Sequence, residues 1–272
     1  MTVLPATMLD AAHRLLILGG TGEAADLADA VHSRFGARIG IVTSLAGRTE
    51  HPRVVPGERR IGGFGGPQEL SRYLRDGRFD FVIDATHPFA AKISASARIA
   101  CDAARVPRLV LIRPAWQRDP KDRWFEVEDA QSAAKLIPDL GKLVFVTVGR
   151  RALAPFAGLT GCWFLIRLVE RPKDPIPLPN NRYELIVARG PFAVGEERAL
   201  MERYRIDVLV AKASGGIATE AKLLAARELG LPVILLSRPA PEPGEMAENI
   251  GQALDWLTRM LERLDEIPPA RT

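Results

Sequence analysis

The sequence predicts an α/β protein with two doubly wound parallel sheets, and three observations lead to this prediction. Short apolar runs, often β-branched, alternate with helical segments along most of the chain, which is typical of βαβ units. A proline- and charge-rich stretch from about residue 113 separates a first series of such units from a second. A glycine turn directly follows the first apolar run. Together they predict two Rossmann-like domains, residues 1–113 and 114–272, with a cleft between them.

The individual strands and helices are predicted from this alternation, in chain order. In the first domain we expect strands at 15–18, 39–43, 79–84 and 109–112, and helices at 23–33, 67–75 and 89–105. In the second domain we expect strands at 143–148, 163–168, 185–188, 208–211 and 233–236, and helices at 130–137, 193–204, 217–229 and 245–264. The segment 171–181 contains four prolines and is predicted to be a loop.

The glycine turn at 19–22 is the most specific local signal. Gly20-x-Gly22-x-x-Ala25 follows a buried strand and fits the G-x-G-x-x-G/A pattern of a dinucleotide-binding turn. Glycines permit the tight turn and the close approach of a pyrophosphate, which the amino end of the next helix attracts. We therefore expect the pyrophosphate to lie on the cofactor-binding residues Gly20, Thr21, Gly22, Glu23 and Ala24.

The end of the second strand indicates which dinucleotide binds. An NAD site usually has Asp or Glu about 20 residues beyond the glycines, where it binds the ribose 2′-hydroxyl. Thr43 and Ser44 occupy that place here, and Arg48 follows. A hydroxyl and a cation are thus available to a 2′-phosphate, and no carboxylate repels it. Ser44 and Arg48 predict NADP rather than NAD, although the same residues also suit an ordinary polar loop.

The next strand ends in Asp84-Ala85-Thr86-His87-Pro88-Phe89. Ligands of doubly wound sheets bind outside the carboxyl ends of strands, so Thr86 and His87 would face a nicotinamide or a substrate. His87 can donate a hydrogen bond or a proton near neutral pH. A histidine at this position is equally suited to a structural role, as a cap or hydrogen-bonding group in the turn.

Two further strand ends in the second domain carry residues suited to anions. Arg150 follows Thr147-Val148-Gly149, and an arginine there offers a bidentate fork to a carboxylate or phosphate. The turn Lys212-Ala213-Ser214-Gly215-Gly216 precedes the helix predicted at 217–229 and forms a second plausible anion cradle. Thr219 and Glu220, in the first turn of this predicted helix, are consistent with capping as well as with function.

Composition and charge narrow the function class. The 272 residues are 47% hydrophobic and 26% charged, as in ordinary globular proteins, and no apolar run approaches the length of a membrane span. The net charge of +4 comes from basic residues dispersed among acids, so we expect a small acidic ligand and neither nucleic acid nor a membrane as partner. Neither cysteine has the spacing of metal ligands, so we expect no metal site. We also expect both cysteines to be reduced and to lie in the core, and we expect a cytoplasmic location.

Several of these segments together resemble the precorrin-6A reductase family of cobalamin biosynthesis. The matching pieces are GGTGEA at 19–24, DATHPFA at 84–90, VTVGR at 146–150, ARGPF at 188–192 and KASGG at 212–216. Further matches follow at 219–222, 225–230 and 238–239, so the resemblance spans residues 15 to about 239. The order and spacing of these pieces together carry the resemblance.

The resemblance implies an NADPH-dependent reductase that converts the macrocycle precorrin-6A to precorrin-6B. It makes His87 and Lys212 candidates for the proton donor, with water or a substrate carboxyl group as alternatives. It also implies substrate-binding positions for Arg150, Ser214, Gly215 and Gly216 against the carboxylates of the tetrapyrrole. Transient contact with neighbouring pathway enzymes is also expected.

Three other hypotheses on the function remain: a reductase of the cobalt-containing substrate, a non-catalytic NADP(H) sensor module, and a nucleic-acid binder. A short-chain reductase is disfavoured, because none of the three tyrosines is followed four positions later by lysine.

Overall fold

The chain forms two compact α/β units in the computed structural model, which describes residues 11–47 and 53–266. Unit 1 comprises Met1–Arg113 with Pro239–Thr272, and unit 2 comprises Pro114–Arg238. Each unit contains one six-stranded sheet in which all neighbouring strands are parallel. The predicted α/β class with two Rossmann-like parallel sheets is therefore confirmed.

The strands of the described residues are numbered along the chain. They are β1 (His13–Leu18), β2 (Ile39–Leu45), β3 (Glu58–Ile61), β4 (Phe81–Asp84), β5 (Arg108–Leu111), β6 (Arg123–Val127), β7 (Leu143–Val146), β8 (Trp163–Leu168), β9 (Tyr183–Val187), β10 (Val208–Lys212), β11 (Pro232–Leu236) and β12 (Glu245–Ala247). The α-helices are α1 (Gly22–Phe35), α2 (Pro67–Asp76), α3 (Ala91–Ala104), α4 (Ala130–Leu140), α5 (Val194–Arg203), α6 (Ala221–Glu228) and α7 (Ile250–Asp265).

The sheet of unit 1 has the strand order β3-β2-β1-β4-β5-β12. This is the 3-2-1-4-5-6 order of dinucleotide-binding folds, and the order reverses between β1 and β4. The loops after β1 and β4 therefore flank the point where such sheets bind their ligands. These two loops contain the predicted glycine turn and His87.

The sheet of unit 2 has the order β9-β8-β7-β10-β11-β6. Counted from β7, it repeats the order of unit 1, except that the sixth place is taken by β6, which comes first in the chain. The reversal lies between β7 and β10, and the loops after these strands carry Arg150 and the glycine turn at 215–216.

The core of unit 1 follows from the alternation of side chains along β1. Leu15 and Ile17 pack in a cluster with residues of α1 and α7, whereas Leu16 and Leu18 pack in a second cluster with residues of α2 and α3. All four side chains are at most 1% exposed, because helices cover both faces of the sheet. A strand buried on both faces is the reason why this run is uniformly apolar.

The C-terminal segment corrects the predicted division of the chain. We assigned residues 114–272 to the second domain, but β12 pairs with β5 and α7 packs on α1, both in unit 1. The physical reason is the apolar stripe of α7, whose buried Trp256 and Leu257 complete the cluster around Leu15 and Ile17. The helix predicted from 245 begins only at Ile250, where Asn249 caps it by accepting from the Gln252 N–H at 2.9 Å.

Three more elements differ from the prediction. The strands β3 and β6 were not predicted, because both are edge strands with charged residues. The helix predicted at 217–229 is a 3-10 turn, Ile217–Thr219, followed by α6 from Ala221.

Among the described residues, no helix is both long and apolar enough to cross a membrane.

Candidate active site

The glycine turn of unit 1 is held in place by bonds to two neighbouring strands. The Gly19 N–H donates to the carbonyl oxygen of Ser44, at the end of β2, at 2.9 Å. Thr21 caps α1, its hydroxyl accepting from the Ala24 N–H at 3.1 Å and donating to the carbonyl oxygen of Ala85, beyond β4, at 2.9 Å. The turn is therefore fixed before any ligand arrives.

The front of this turn is open, while its back is closely packed. A Cβ atom on Gly19 would lie 3.2 Å from Thr43 Cγ2 and 3.3 Å from Ala24 Cβ. A Cβ on Gly20 or Gly22 would meet nothing within 4 Å, and Gly20 has a φ of +101°. Gly22 and Glu23 begin α1, where N–H groups have no intrahelical acceptor. This open, donor-lined surface fits the pyrophosphate of a dinucleotide.

Glu23 brings a negative charge to this site, and an arginine compensates it. Arg113 Nη2 donates to Glu23 Oε2 at 2.7 Å, with the two side chains 13% and 32% exposed. The ion pair offsets a carboxylate that would otherwise repel a phosphate at the helix terminus. The part of Glu23 suited to the cofactor is thus its backbone N–H rather than its side chain.

The end of β4 is organised around the buried carboxylate of Asp84. Its Oδ1 accepts from the Thr86 hydroxyl at 2.7 Å and from the Thr86 N–H at 3.2 Å. Its Oδ2 is also buried and has no hydrogen-bond partner among the described residues. The Thr86 hydroxyl lies 3.3 Å from Ser94 Oγ on α3. Asp84 therefore shapes the turn that leads to His87.

His87 is oriented by its own turn. Its Nδ1 accepts from the Phe89 N–H at 3.2 Å, and its carbonyl oxygen accepts from the Ala90 N–H at 2.7 Å. An accepting Nδ1 places the proton of the neutral ring on Nε2. The neutral imidazole can thus donate a hydrogen bond from Nε2.

The predicted 2′-phosphate position is only partly described. Ser44 lies at the end of β2 and is 6% exposed, whereas Arg48 lies outside the described residues. The unpredicted strand β3 adds a basic neighbour, because Arg60 is paired in register with Ser44. Its guanidinium binds the carbonyl oxygens of Gly62 and Gly63 and lies 3.8 Å from the centre of the Phe64 ring. The strand β3 was not predicted because its sequence is charged. The glycines that follow β3 did indicate a turn.

In unit 2, Arg150 lies beside the proline-rich loop. Its Nη1 is 2.9 Å from Asp174 Oδ2, and its Nη2 donates to the Pro175 carbonyl oxygen at 3.5 Å. Arg150 and Arg151, with Pro175 and Pro177, line a cavity of about 210 Å³. The two arginines make this cavity suited to an anion.

The loop after β10, residues 213–219, is closely tied to its surroundings. Ser214 is 4% exposed, and its Oγ lies 3.4 Å from Thr219 Oγ1, which donates to the Gly215 carbonyl oxygen at 3.1 Å. Trp116 Nε1 donates to the Gly216 carbonyl oxygen at 2.9 Å. Gly215 and Gly216 have φ values of +69° and +79°, which only glycine adopts without strain.

The predicted anion cradle in this loop needs one correction. We expected a helix to begin at residue 217, but a 3-10 turn intervenes and α6 begins at Ala221. Ser214, Gly215 and Gly216 therefore do not lie directly at the amino end of an α-helix.

A second depression of the described surface contains none of the predicted site residues. This larger depression of about 510 Å³, lined by Gly141, Asp207 and Pro232 among others, lies at the amino ends of the strands of unit 2. Within residues 11–47 and 53–266, no cluster of three or more His, Cys, Asp or Glu side chains could hold a metal ion.

Comparison with known proteins identifies the family. The model of the family described as "Precorrin-6x reductase CbiJ/CobK" matches residues 14–258. The chain belongs to the CbiJ/CobK precorrin-6x reductase family. A relative named precorrin-6A reductase, from Rhodococcus erythropolis, is 46% identical over 92% of this chain and 99% of its own.

Further members of the CbiJ/CobK family show how far the likeness extends. A solved structure titled "CobK precorrin-6A reductase" is 40% identical and covers 91% of this chain and 97% of its own, with a TM-score of 0.84. A relative named cobalt-precorrin-6A reductase, from Synechocystis, is 31% identical over 72% of this chain and 77% of its own. The resemblance to the precorrin-6A reductase family, inferred from the sequence motifs, is thus confirmed.

In this CbiJ/CobK chain the predicted residues form local groups. In unit 1 the glycine turn is bonded directly to Ser44 and to the segment that carries Thr86. In unit 2, Ser214 and Gly215 are joined through Thr219. Arg113 and Trp116 were not predicted, although Arg113 lies only two residues beyond the end of β5, where ligand-binding residues are expected.

Proposed function

We propose that this chain is an NADPH-dependent precorrin-6A reductase, which reduces the macrocycle precorrin-6A to precorrin-6B in cobalamin biosynthesis. Membership of a reductase family supports a nicotinamide cofactor in general. The observation that carries the proposal is the glycine turn, open in front of Gly20 and Gly22 and fixed behind by Thr21. We expect the reaction to take place in the cytoplasm.

The residues of unit 1 would hold the cofactor in the manner of dinucleotide-binding folds. The backbone of Gly20, Thr21, Gly22, Glu23 and Ala24 would bind the pyrophosphate, with Thr86 toward the nicotinamide. Ser44 and Arg48 would bind the 2′-phosphate, and the absence of an acidic residue at the end of β2 supports NADPH over NADH. When bound, the reduced nicotinamide supplies the hydride for a double bond of the macrocycle.

Reduction of a double bond also requires a proton, and two residues are suited to supply it. The His87 ring is oriented by the Phe89 N–H so that Nε2 carries the proton in the neutral form. Lys212 lies at the end of β10, beside the loop 213–219. We propose His87 as the first candidate for proton donor and Lys212 as the second.

The substrate carries several carboxylates, and the basic residues of unit 2 are suited to bind them. Arg150 would bind one at the cavity it shares with Arg151, and the loop residues Ser214, Gly215 and Gly216 would bind another. The metal-free substrate is favoured, because the relative named precorrin-6A reductase is 46% identical and the one named for the cobalt form is 31% identical. Transient contacts with neighbouring pathway enzymes stay a prediction.

The decisive experiment is anaerobic NADPH oxidation, followed by cofactor absorbance, with and without precorrin-6A. We expect oxidation only with precorrin-6A, and much slower oxidation when NADH replaces NADPH. NADPH binding without oxidation on either precorrin-6A or its cobalt form would favour a sensor module instead. Oxidation on the cobalt form alone would move the substrate assignment to that form.

A further inference from the structure

Lys222 is a buried lysine in the first turn of α6, directly behind the loop 213–219. The residue is 8% exposed, and its Nζ donates a hydrogen bond to the carbonyl oxygen of Thr219. Nζ also lies 5.4 Å from the centre of the Trp116 ring. Trp116 in turn binds the Gly216 carbonyl oxygen, so two adjoining side chains hold the loop at two of its carbonyl groups.

The charges that face Lys222 come from two other elements. Arg167 on β8 donates to Glu197 Oε1 on α5 at 2.5 Å, and these side chains are 9% and 1% exposed. In the part of the chain that the structure describes, no carboxylate forms an ion pair with Lys222. The group therefore contains two cations and one carboxylate, and Lys222 contributes the uncompensated positive charge.

A buried excess charge of this kind is unfavourable unless something compensates it. Burial, and then the neighbouring Arg167, lower the pKa of Lys222 from 10.5 to about 8, with Glu197 acting in the opposite direction. An apolar side chain of similar length would avoid this cost, but it would lose the hydrogen bond to the Thr219 carbonyl oxygen. An anion on the outer side of the loop would compensate the charge from a short distance.

We propose that Lys222 is a positioning residue for the substrate: through the Thr219 carbonyl oxygen it fixes the loop 213–219, and its charge favours a substrate carboxylate bound on Ser214, Gly215 and Gly216. This inference rests on the proposed function for the identity of the anion. It adds a role for a side chain that does not itself touch the substrate. The loop supplies the binding groups, and the buried cation supplies their position and charge.

Two substitutions separate charge from packing. Lys222→Met removes the charge at every pH, whereas Lys222→Arg keeps a charge that does not titrate below about pH 12. In the unchanged protein we expect the KM for precorrin-6A to rise about tenfold between about pH 7 and pH 9.5, the size of effect typical of one hydrogen-bonded charge. In Lys222→Met the KM should be high throughout, and in Lys222→Arg it should lack the rise near pH 8. Lys135→Met, on the exposed side of α4, is the matched control and should behave like the unchanged protein.

The NADPH dissociation constant, which reports on unit 1, should be the same in all four proteins. A rise in KM near pH 8 that persists in Lys222→Arg, or an unchanged KM in Lys222→Met, would overturn the inference. Calorimetric titration with citrate, a tricarboxylate probe, gives a readout independent of turnover. Citrate binding that is weakened in Lys222→Met, in a protein that does not turn over precorrin-6A, would support the role of Lys222 and refute the proposed function. Turnover of precorrin-6A with a KM that does not depend on Lys222 would support the proposed function and refute the role of Lys222.

Discussion

The Thr21 hydroxyl donates a hydrogen bond to the carbonyl oxygen of Ala85 at 2.9 Å, which ties the glycine turn after β1 to the end of β4. The same oxygen accepts from the Ala24 N–H at 3.1 Å and caps α1. One side chain thus joins the two loops at the point where the strand order reverses. It fixes the position of the predicted pyrophosphate site relative to Thr86 and His87.

Thr21→Val should remove both bonds with little change in volume. We expect the free energy of unfolding to fall by about 1 kcal/mol, the usual cost of a lost helix cap. NADPH should also bind more weakly, because the turn is no longer fixed. Denaturant unfolding and NADPH titration test this, with Thr21→Ser as the control that keeps the hydroxyl. Equal NADPH affinity in Thr21→Val and Thr21→Ser would contradict the role given to this bond.

Gly22→Ala should separate stability from cofactor binding. Gly22 is helical, and its added Cβ would meet no protein atom within 4 Å. The free energy of unfolding should therefore rise, by up to about 1 kcal/mol from the higher helix propensity of alanine. NADPH affinity should fall, because the methyl group would occupy the surface that the pyrophosphate approaches. An alanine variant that binds NADPH normally would place the pyrophosphate elsewhere.

Arg48→Ala tests the choice of cofactor. The variant should lose affinity for NADPH far more than for NADH, because only NADPH carries the 2′-phosphate that Arg48 is proposed to bind. Titration of each cofactor gives the comparison, with NADH as the internal control. Equal losses for both cofactors would remove Arg48 from the 2′-phosphate site.

His87→Ala tests the proton donor. Turnover of precorrin-6A should slow, by roughly 100-fold if His87 is the general acid, while NADPH affinity changes little. Steady-state kinetics and NADPH titration measure the two effects separately. His32→Ala, at an exposed position of α1, serves as control. Unchanged turnover in His87→Ala would leave His87 with its structural role in the turn and direct attention to Lys212.

The buried charge of Lys222 also predicts how stability depends on pH. The pKa of Lys222 is about 8 in the folded chain and near its ordinary value of 10.5 in the unfolded chain. Between these values the unfolded chain binds more protons, so stability rises with pH through this interval and is lost as pH falls toward about 8. At neutral pH the cost is of order 3 kcal/mol, since each unit of pKa shift corresponds to about 1.4 kcal/mol.

Lys222→Met should accordingly be more stable than the unchanged protein at neutral pH, and the difference should shrink as pH rises toward about 10. Denaturant unfolding at several pH values measures this. A variant that is less stable at neutral pH would show that the lysine contributes to packing rather than to a ligand. Greater stability combined with weaker substrate binding is the combination that a positioning charge predicts.

The sequence was informative where structure depends on near neighbours in the chain. The β1 run and the glycine turn combine a continuous apolar stretch with residues only a few positions apart, so β1, the turn and the start of α1 were predicted close to where they form. The strand β3 reads as Glu-Arg-Arg-Ile and lies at a sheet edge, where no apolar pattern is required. β12 has three residues and pairs with β5 over a long separation in sequence, which periodicity does not reveal.

The same distinction applies to the candidate sites. The glycines, Thr86 and His87 lie in short motifs whose position after a strand indicated a ligand. The charged neighbours of Lys222 come from two other elements, β8 and α5, and the lysine itself occupies an unremarkable helical position in the sequence. Only the folded chain shows that Arg167 and Glu197 are its neighbours.

The place of β12 and α7 in unit 1 has a consequence for synthesis on the ribosome. Residues 114–238 form unit 2 as one uninterrupted stretch, whereas unit 1 needs residues from both ends of the chain. As the chain emerges, the nucleotide-binding sheet is translated first but lacks its sixth strand and the buried Trp256 and Leu257 until translation is nearly finished. Unit 2 can therefore fold first, and a nascent or prematurely terminated chain exposes the apolar face of unit 1 to chaperones and proteases. Only a chain translated through α7 completes the fold that holds the proposed nucleotide site.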